Sequence, residues 1–494
     1  MIANGKKIVL VATALGFGTK DHLPILGLGY IASVLEKNGY NVKILDSTIH
    51  GYDNEAVIKH IINESPDAIG LSCISGNRFD AIKIINGIRA VNEKVFIFGG
   101  GRHFHHTWFN SLEKIKSLDA IVRGEGEITT LEMLNSYFSG GRFDNISGVA
   151  YRKDGVPVAN GERPPIENLD ELPWPAWHLY EMDKYRANLE GFEGVRSIGV
   201  ISSRGCPSSC TFCANNSFWP RLRRRSPKDF VDEVEFLKNK YGFSGFDFWD
   251  DTITIVKNHI LDICSEIINR KLNIIWYCRA RVNTLDEEIL TAMKEAGCRV
   301  IGFGIESGSE KVLSTIKKNI SLEQVKKTFW LCAKMGFITK GFFIYGLPSE
   351  TKDDLIKTRI LMEELKSYGS KFRSETLMLA GLAPILYPGT EMTLQAQKDG
   401  SLPSDFDWSK EVYFERNKKF GLNPYLPIYE NKELPLEEII KINKKFNRGV
   451  ATILAKLYYY YRVWGILHFL NIVYKKLKVA FKNILFTFVG QQRN

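Results

Sequence analysis

Three cysteines within eight residues are the feature of this sequence best suited to chemistry. They are Cys206, Cys210 and Cys213, in the stretch SSRGCPSSCTFC, and their spacing is CxxxCxxC. Three thiolates this close can surround one soft metal centre. Structural zinc would need a fourth protein ligand, and no histidine is near in the sequence. A four-iron, four-sulfur cube held by three thiolates would instead keep one iron free for a small ligand. Three unrelated core cysteines are a third reading, which the polar residues between them disfavour.

The other cysteines are scattered among apolar neighbours and are expected to be small buried hydrophobes. A disulfide framework is not expected in so large a chain, and a reducing cytoplasm fits better. These cysteines are Cys73, Cys264, Cys278, Cys298 and Cys332.

The elements that must position the three cysteines form a repeating pattern. In the first 140 residues, Val/Ile/Leu-rich strands such as KIVLVAT and AIGLSCI alternate with amphipathic helices. This pattern predicts a doubly wound α/β domain with a parallel sheet, whose ligands bind at the carboxyl ends of the strands. From about residue 195 six further βα units follow, which predict a partial (β/α) barrel with the cysteines on the loop after its first strand.

Between and after these two patterns the sequence changes character. Asp154-Gly155 predicts a hairpin turn, and ERPPIENLDELPWPAWHLY is proline-rich like a linker. After about residue 400 the pattern is helical and aromatic. We therefore expect an α/β domain at 1–145, a hairpin and linker at 146–192, a partial barrel at 193–395 and a helical extension at 396–494.

The barrel segment resembles the radical S-adenosylmethionine (SAM) superfamily. The resemblance extends from the cysteines through RRRSPKDFVDEVEFL, GFDFWDDTIT, the stretch from RARVNTLDEE to IGFGIESGSEKVL, and GFFIYGLPSET, over roughly residues 195 to 390. It implies that the three cysteines bind three irons of a 4Fe-4S cluster and that SAM binds the fourth. One electron from the cluster would cleave SAM to a 5′-deoxyadenosyl radical.

The resemblance also implies SAM contacts at the ends of the barrel strands. Phe212 would lie near the adenine, and a strand-end carboxylate would hold a polar group of SAM. The alternative for such a carboxylate is a cap on the next helix, and we weigh this alternative for Asp251. The full set of expected SAM contacts is Phe212, Asp250, Arg281, Glu306, Ser307, Tyr345 and Gly346.

The first domain resembles the cobalamin-binding domain that precedes many radical SAM domains. LPILGLGYIASVLEKNGYNVKILD, DAIGLSCISGN, FIFGGGRHFHHTW and DAIVRGEGE carry the resemblance over about residues 5 to 140. The DxHxxG motif of many cobalamin domains is absent, so no cobalt ligand is implied. Tight turns are the alternative reading of the glycines. The expected cobalamin contacts are Ser72, Ser75, Gly76, Gly99, Gly100, Gly101, Gly124 and Glu125.

Two further features of the first domain bear on its function. His103, His105 and His106 stand together, either as a metal-binding tract or, as we expect, as surface or cofactor-pocket histidines. A tRNA methylthiotransferase would need a cysteine triad in this domain, which holds only Cys73.

The net charge of +10 is concentrated at the carboxyl end, where residues 451–494 hold seven Lys or Arg and no Asp or Glu. We expect no nucleic-acid surface. On a helix, this aromatic tail would spread Lys475, Lys476, Lys478 and Lys482 over part of one face, suited to peripheral contact with anionic lipid at the inner face of the membrane. A helical cap on the barrel is the alternative that we favour.

Together these patterns predict a cytoplasmic, oxygen-sensitive, cobalamin-dependent radical SAM enzyme. The reaction implied by the resemblance is methylation of an unactivated carbon in a small-molecule or lipid-like substrate, with an electron donor such as flavodoxin or ferredoxin. Two alternatives stay open. One is a non-methylating radical reaction, such as the ring closure of anaerobic porphyrin-ester cyclases, and the other is an iron-sulfur sensor without turnover.

Overall fold

The computed structural model describes residues 5–13, 22–412 and 414–447. The chain separates into two compact units, Met1–Leu434 and Pro435–Asn494. The first unit contains two large sheets, which are described in turn below.

The first sheet has the strand order β2-β1-β3-β4-β5-β6-β7, with its first five strands parallel and its last two antiparallel. Its strands are β1 (Lys7–Ala12), β2 (Asn41–Asp46), β3 (Ala68–Ser72), β4 (Phe96–Gly100), β5 (Ala120–Val122), β6 (Val149–Lys153) and β7 (Val156–Ala159). Its helices are α1 (Leu26–Lys37), α2 (Ser47–His50), α3 (Asn54–Asn63), α4 (Arg78–Val91), α5 (Arg102–Lys114) and α6 (Gly126–Phe138).

Two hydrophobic clusters cover the two faces of this sheet. Ile8 and Leu10 of β1 pack with residues of α1 and α6 on one face, and Val9 and Val11 pack with residues of α3 and α4 on the other. A strand buried on both faces explains why the Val/Ile/Leu run is continuous. The predicted doubly wound α/β fold is confirmed.

The predicted hairpin joins β6 to β7 at the edge of the same sheet. Asp154 and Gly155 both have positive φ angles, 51° and 81°. Two consecutive residues of this kind form the type I′ turn, for which Asp-Gly is a preferred pair.

The second sheet is the partial barrel. Its order is β16-β15-β14-β13-β12-β9-β8, with six consecutive parallel strands and β8 antiparallel at the edge. The strands are β8 (Asn188–Leu189), β9 (Phe192–Val200), β12 (Gly245–Phe248), β13 (Ile275–Ala280), β14 (Cys298–Glu306), β15 (Ile338–Ile344) and β16 (Thr376–Gly381). A short ribbon of β10 (Ser203–Arg204) and β11 (Arg223–Arg224) follows β9.

Helices cover one face of the second sheet. They are α8 (Pro227–Tyr241), α9 (Lys257–Asn269), α10 (Glu287–Glu295), α11 (Glu310–Thr315), α12 (Leu322–Lys334) and α13 (Lys352–Phe372), and α7 (Asn215–Phe218) lies in the cysteine loop. Side-chain caps fix the starts of α8 and α13. Ser226 caps α8, which has Pro227 in its first turn, and Thr351 forms a capping box with Asp354 at the start of α13.

The remaining helices follow the barrel. These are α14 (Glu391–Lys398) and α15 (Glu415–Lys419) in the first unit, and α16 (Leu436–Asn447) in the second. None of the helices in the described part of the chain is long and apolar enough to cross a membrane. The tail predicted to be a basic aromatic helix lies outside the described residues.

The eight cysteines are free thiols and divide into two groups by burial. Cys73, Cys264, Cys278, Cys298 and Cys332 are each 0% exposed in the hydrophobic core, as predicted. In the cysteine loop, Cys206 and Cys213 are half-buried and Cys210 is 7% exposed. Partial exposure separates the loop cysteines from the core cysteines.

Candidate active site

The cysteine loop, residues 205–222, is closed at its base by the ribbon of β10 and β11. Ser203 pairs with Arg224, and Arg204 pairs with Arg223. The loop begins at Gly205, whose φ of 96° falls in the left-handed region. A Cβ there would lie 2.2 Å from the carbonyl oxygen of Arg221, so this close approach requires glycine.

Backbone hydrogen bonds hold the middle of the cysteine loop in place. The Thr211 amide donates to the Ile316 carbonyl at 3.2 Å, and the Met392 amide donates to the Thr211 carbonyl at 2.9 Å. The Cys210 thiol lies 3.9 Å from the Lys317 carbonyl oxygen. The loop is therefore docked against the segment that follows α11.

The donor chemistry of the loop fits an iron-sulfur cluster. Burial raises the pKa of the Cys213 thiol, while the positive charge of Arg102 acts in the opposite direction. Within the described residues, no three His, Cys, Asp or Glu side chains converge on a single ion. Thiolates that each bind a different iron of one cube need not converge in that way.

One side chain that was not predicted, Lys318, brings three predicted SAM contacts together. Its ammonium donates to Glu306 Oε1 at 2.8 Å and lies 6.0 Å from the centre of the Phe212 ring. Arg281 donates to the backbone carbonyl of Lys318. Glu306 has a positive φ of 72°, a backbone conformation that non-glycine residues adopt mainly at turns and functional sites. Phe212, Glu306 and Arg281 thus lie around one lysine beside the cysteine loop.

Asp250 and Asp251 differ in their surroundings at the end of β12. Asp250 is fully buried and accepts hydrogen bonds from the Ser202 amide at 3.2 Å, the Ser202 hydroxyl at 2.7 Å and the Ser203 hydroxyl at 2.5 Å. Asp251 Oδ2 is buried without a hydrogen-bond partner in the described structure. Burial raises the pKa of Asp251, and its charge raises the pKa of Cys213. Asp251, which we weighed as a helix cap, is thus the carboxylate with a vacant acceptor beside the cysteine loop.

Asn215, the first residue of α7, accompanies Asp251. Its side chain acts to lower the pKa of the Asp251 carboxyl, and its own Oδ1 is buried without a hydrogen-bond partner in the described structure. Buried polar atoms without partners are rare in folded proteins and mark places where a ligand can bind. Two such oxygens next to the cysteine loop fit the amino and hydroxyl groups of SAM.

The other three predicted SAM contacts are engaged with α13 or with the segment just before it. The Ser307 hydroxyl lies 3.2 Å from that of Thr358, and the Tyr345 hydroxyl donates to Met362 Sδ at 3.2 Å. The Gly346 amide donates to Glu350 Oε2 at 2.5 Å. A role for Ser307, Tyr345 and Gly346 in SAM binding stays a prediction.

A cavity lies at the carboxyl end of the first sheet and opens towards the cysteine loop. Residues of α1 and α6 line it together with Ile201, Arg204, Phe218 and Trp219 of the barrel domain. Two side-chain atoms on its wall, Thr130 Oγ1 and Trp219 Nε1, are buried without hydrogen-bond partners in the described structure. An apolar cavity with such atoms fits a large cofactor that carries amide groups. Five of the predicted cobalamin contacts line it, namely Ser72, Gly100, Gly101, Gly124 and Glu125.

The other three predicted cobalamin contacts lie behind the cavity wall or beyond it. The Ser75 hydroxyl faces His103, with 3.0 Å between its oxygen and Nδ1. Gly99 packs against the Phe104 ring, which a Cβ on Gly99 would meet at 2.6 Å. A Cβ on Gly76 would meet nothing within 4 Å. Neither Ser75, Gly76 nor Gly99 is among the residues that line the cavity.

Glu125 belongs to a buried network of ion pairs between the two domains. Its carboxylate accepts from Arg204 at 3.0 Å, from Arg223 at 2.8 Å and from the Ile166 amide at 2.7 Å. The second nitrogen of Arg204 donates to Glu127 at 2.6 Å. The Glu125 carboxylate is therefore occupied by two arginines that flank the cysteine loop, although the residue lines the cavity.

The three histidines pack within the first domain and against the barrel domain. Burial lowers the pKa of His103 and lowers that of His105 to about 4. His105 Nδ1 accepts from the Gly124 amide at 2.9 Å, and His106 Nε2 lies 3.4 Å from the Ser217 hydroxyl. They belong to no metal-binding group among the described residues.

Comparison with known proteins places this geometry in a family. The family model of the radical SAM superfamily matches residues 200–362, and that of the B12 binding domain matches residues 14–134. An uncharacterised methyltransferase of Pyrococcus horikoshii is 32% identical over 423 residues, which cover 85% of this chain and 86% of the relative. The cytidylyl-2-hydroxyethylphosphonate methyltransferase of Streptomyces wedmorensis is 30% identical, with 86% and 85% covered.

A solved structure shows the same fold. The radical S-adenosylmethionine methyltransferase TsrM of Kitasatospora setae, with cobalamin and a [4Fe-4S] cluster bound, superposes with a TM-score of 0.70 at 17% identity over 90% of this chain and 91% of that protein. The cysteine loop after β9, the first long strand of the partial barrel, lies within the segment that the radical SAM family model matches, and it defines the chain as a radical SAM enzyme. The chain belongs to the radical SAM family whose members carry an amino-terminal B12-binding domain. The predicted cofactor set of 4Fe-4S cluster, SAM and cobalamin is confirmed by this membership.

Proposed function

We propose that this protein is a cobalamin-dependent radical SAM methyltransferase that methylates an unactivated carbon of a small organic molecule. The position of Arg204 carries the proposal. Its side chain lines the cavity of the first domain, and Cys206 follows it by two residues. The site for a cobalamin and the site for a cluster are therefore adjacent, and both relatives described above are named as methyltransferases.

We infer the following roles for residues of this chain. Cys206, Cys210 and Cys213 hold the cluster, and Asp251 with Asn215 holds polar groups of SAM. Thr130 and Trp219 offer hydrogen bonds to the cobalamin. When bound, the cluster with SAM supplies a carbon radical that removes hydrogen, and the cobalamin supplies the methyl group. The apolar wall around these residues excludes water, which protects a reactive centre.

The cofactor content of one anaerobic preparation tests the proposal. Wild-type protein supplied with iron, sulfide and hydroxocobalamin is expected to hold about four irons and one cobalamin per chain. Cys210→Ala should lose iron and retain cobalamin. Cys264→Ala is the matched control, because Cys264 is a core thiol, and it should retain both. Equal iron content in the Cys210 and Cys264 variants would contradict the assignment of the loop.

The products of SAM distinguish the reaction types. A methyltransferase forms S-adenosylhomocysteine and 5′-deoxyadenosine together when substrate is present. A non-methylating cyclase or oxidase forms 5′-deoxyadenosine without S-adenosylhomocysteine, and a sensor forms neither. Liquid chromatography of a reduced reaction mixture measures both products.

We also infer a cytoplasmic location and an electron donor such as flavodoxin or ferredoxin. Free thiols at all eight cysteines support the reducing compartment. We further propose that the basic tail contacts a membrane surface and that the substrate is lipid-like. The basic and aromatic composition of residues 451–494 supports both proposals. Sedimentation with anionic vesicles, before and after removal of this tail, tests the membrane contact.

A further inference from the structure

One face of the second sheet is turned away from the helices and bounds the interior of the partial barrel. On the helix side, the ring centres of Phe303 of β14 and Phe329 of α12 are 5.1 Å apart. Those of Phe248 of β12 and Phe230 of α8 are 5.0 Å apart. Side chains alternate between the two faces of a strand. Asp247 of β12 therefore points to the interior.

Arg279 stands in this interior in a fixed orientation. Its Nη1 donates to Asp247 Oδ1 at 2.9 Å and its Nη2 donates to Oδ2 at 3.4 Å. The guanidinium lies 4.8 Å from the centre of the Tyr277 ring, which is on the same face of β13. The side chain of Arg279 is nevertheless 40% exposed, against 16% for Asp247. An arginine has five N–H donors, and those that Asp247 does not use face open space.

A second cation and an apolar wall complete the interior. Lys340 of β15 is ion-paired with Glu190, and its ammonium lies 5.1 Å from the Tyr277 ring centre. The next inward residue of β15 is Phe342, whose ring lies 3.0 Å from where a Cβ on Gly302 would be. Leu379 of β16 is the strand neighbour of Phe342 and is 44% exposed. Polar donors and apolar surface thus lie beside one another on the inward face of neighbouring strands.

Arg279 is also close to the candidate SAM site. Its charge acts to lower the pKa of Asp251, the carboxylate with the vacant oxygen beside the cysteine loop. Because Asp251 continues the inward side of β12 that Asp247 occupies, a molecule held by Arg279 would lie on the same side of the sheet as Asp251.

We propose that Arg279 recognises the substrate, and that the substrate is an organic oxyanion, such as a carboxylate or phosphonate, with an apolar body. An arginine supplies hydrogen-bond donors and no acceptor, so its partner must supply acceptors, and its planar fork matches the paired oxygens of an oxyanion. Asp247 and Tyr277 hold the fork in place, and Phe342 and Leu379 contact the apolar body. This substrate class rests on the proposed function, because it assigns the barrel interior to the substrate.

Binding of three matched probes tests the proposal. Isothermal titration of the anaerobic, cofactor-loaded full chain would use octanoate, octylphosphonate and octanamide, which share an apolar body and differ in the charge of the head group. The wild type is expected to bind the two anions at least about tenfold more tightly than the amide. Equal affinities for octanoate and octanamide would overturn the proposal.

Variants assign the preference to one residue. Arg279→Gln should abolish the preference for the anions, whereas Arg279→Lys should keep part of it, because it retains the charge and loses the fork. Arg142→Gln is the control, because Arg142 is 77% exposed at the surface and pairs with Asp144. A preference that survives Arg279→Gln would contradict the assignment. If Arg279→Gln does not fold, the lysine variant and the wild-type comparison decide the outcome.

Failure of this inference can be distinguished from failure of the proposed function. The same preparations are assayed for 5′-deoxyadenosine formation under reducing conditions. Cleavage of SAM without a preference for anions sinks the substrate class and leaves the radical chemistry intact. A preference for anions without cleavage of SAM sinks the proposed function and supports Arg279 as an anion site.

Discussion

Arg204 donates to Glu125 across 3.0 Å, although 79 residues separate them in the sequence. Arg223, the strand partner of Arg204, reaches the same carboxylate at 2.8 Å. The two residues that flank the cysteine loop are thereby fixed to the wall of the cavity in the first domain. This contact ties the cysteine loop to the cavity of the first domain.

Neutralising Glu125 should destabilise the protein strongly. Glu125→Gln leaves two buried guanidinium groups short of a counter-ion, and we expect a loss of about 3–5 kcal/mol in the free energy of unfolding. Glu162→Gln is the control, because Glu162 pairs with Arg123 but is 77% exposed, and should cost less than about 1 kcal/mol. Urea denaturation followed by tryptophan fluorescence measures both. Similar losses in the two variants would show that the buried network is not important for stability.

The two adjacent aspartates should respond oppositely to the same substitution. Asp251→Asn removes the vacant carboxylate oxygen, so SAM affinity should fall at least about tenfold with little change in stability. Asp250→Asn should instead lower the free energy of unfolding by about 1–3 kcal/mol, because Asp250 accepts three hydrogen bonds in a buried site. Equilibrium SAM binding and urea denaturation separate the two effects. A loss of SAM affinity in Asp250→Asn, with only a loss of stability in Asp251→Asn, would instead assign Asp250 to the SAM site.

A single methyl group at Gly205 should remove the cluster while all three cysteines remain. In Gly205→Ala, the Cβ would meet the Arg221 carbonyl at 2.2 Å, which forces the start of the loop to move. Gly242→Ala has a similar positive φ of 73° but no atom within 4 Å, so it carries the backbone strain without the clash. We expect iron content to fall severalfold in the first variant and to be normal in the second. Normal iron content in both would mean that the loop tolerates the displacement.

Glu350 should make stability depend on pH in the neutral range. Burial raises its pKa from 4.5 to about 7, so the folded state holds a proton that the unfolded state releases near pH 4.5. Its contribution to stability is full below pH 4.5 and is lost as the pH rises through about 7, a change of up to about 3 kcal/mol. Comparing Glu350→Gln with wild type between pH 5 and 8 isolates this contribution. Parallel stability curves for the two proteins would contradict it.

The alternation of strands and helices made both sheets predictable. Continuous apolar strands indicate burial on both faces, and the polar cysteine loop stands out against them. The same alternation could also have separated Asp250 from Asp251. Phe246 and Phe248 are buried, and Asp250 continues their side of the strand, whereas Asp251 continues the side of Asp247. The expected role of Asp250 in SAM binding stays a prediction.

The contacts between distant segments were not predictable. Lys318 meets Phe212 and Glu306, and Arg102 of the first domain acts on Asp251 of the second. Neither residue has a spacing or neighbour that marks it, because its role depends on loops that meet only in the folded chain. The ion pairs of Glu125 could not be foreseen for the same reason, because its two arginine partners lie 79 and 98 residues away.

The ribbon of β10 and β11 anchors the cysteine loop through the backbone. Pairing at Ser203 and Arg224, together with the backbone bonds of Thr211, joins the loop to the rest of the chain at its base and at its middle. Substitution of a single cysteine leaves all of these bonds in place. Loss of iron in a cysteine variant therefore reports on the thiol that was removed and not on collapse of the loop.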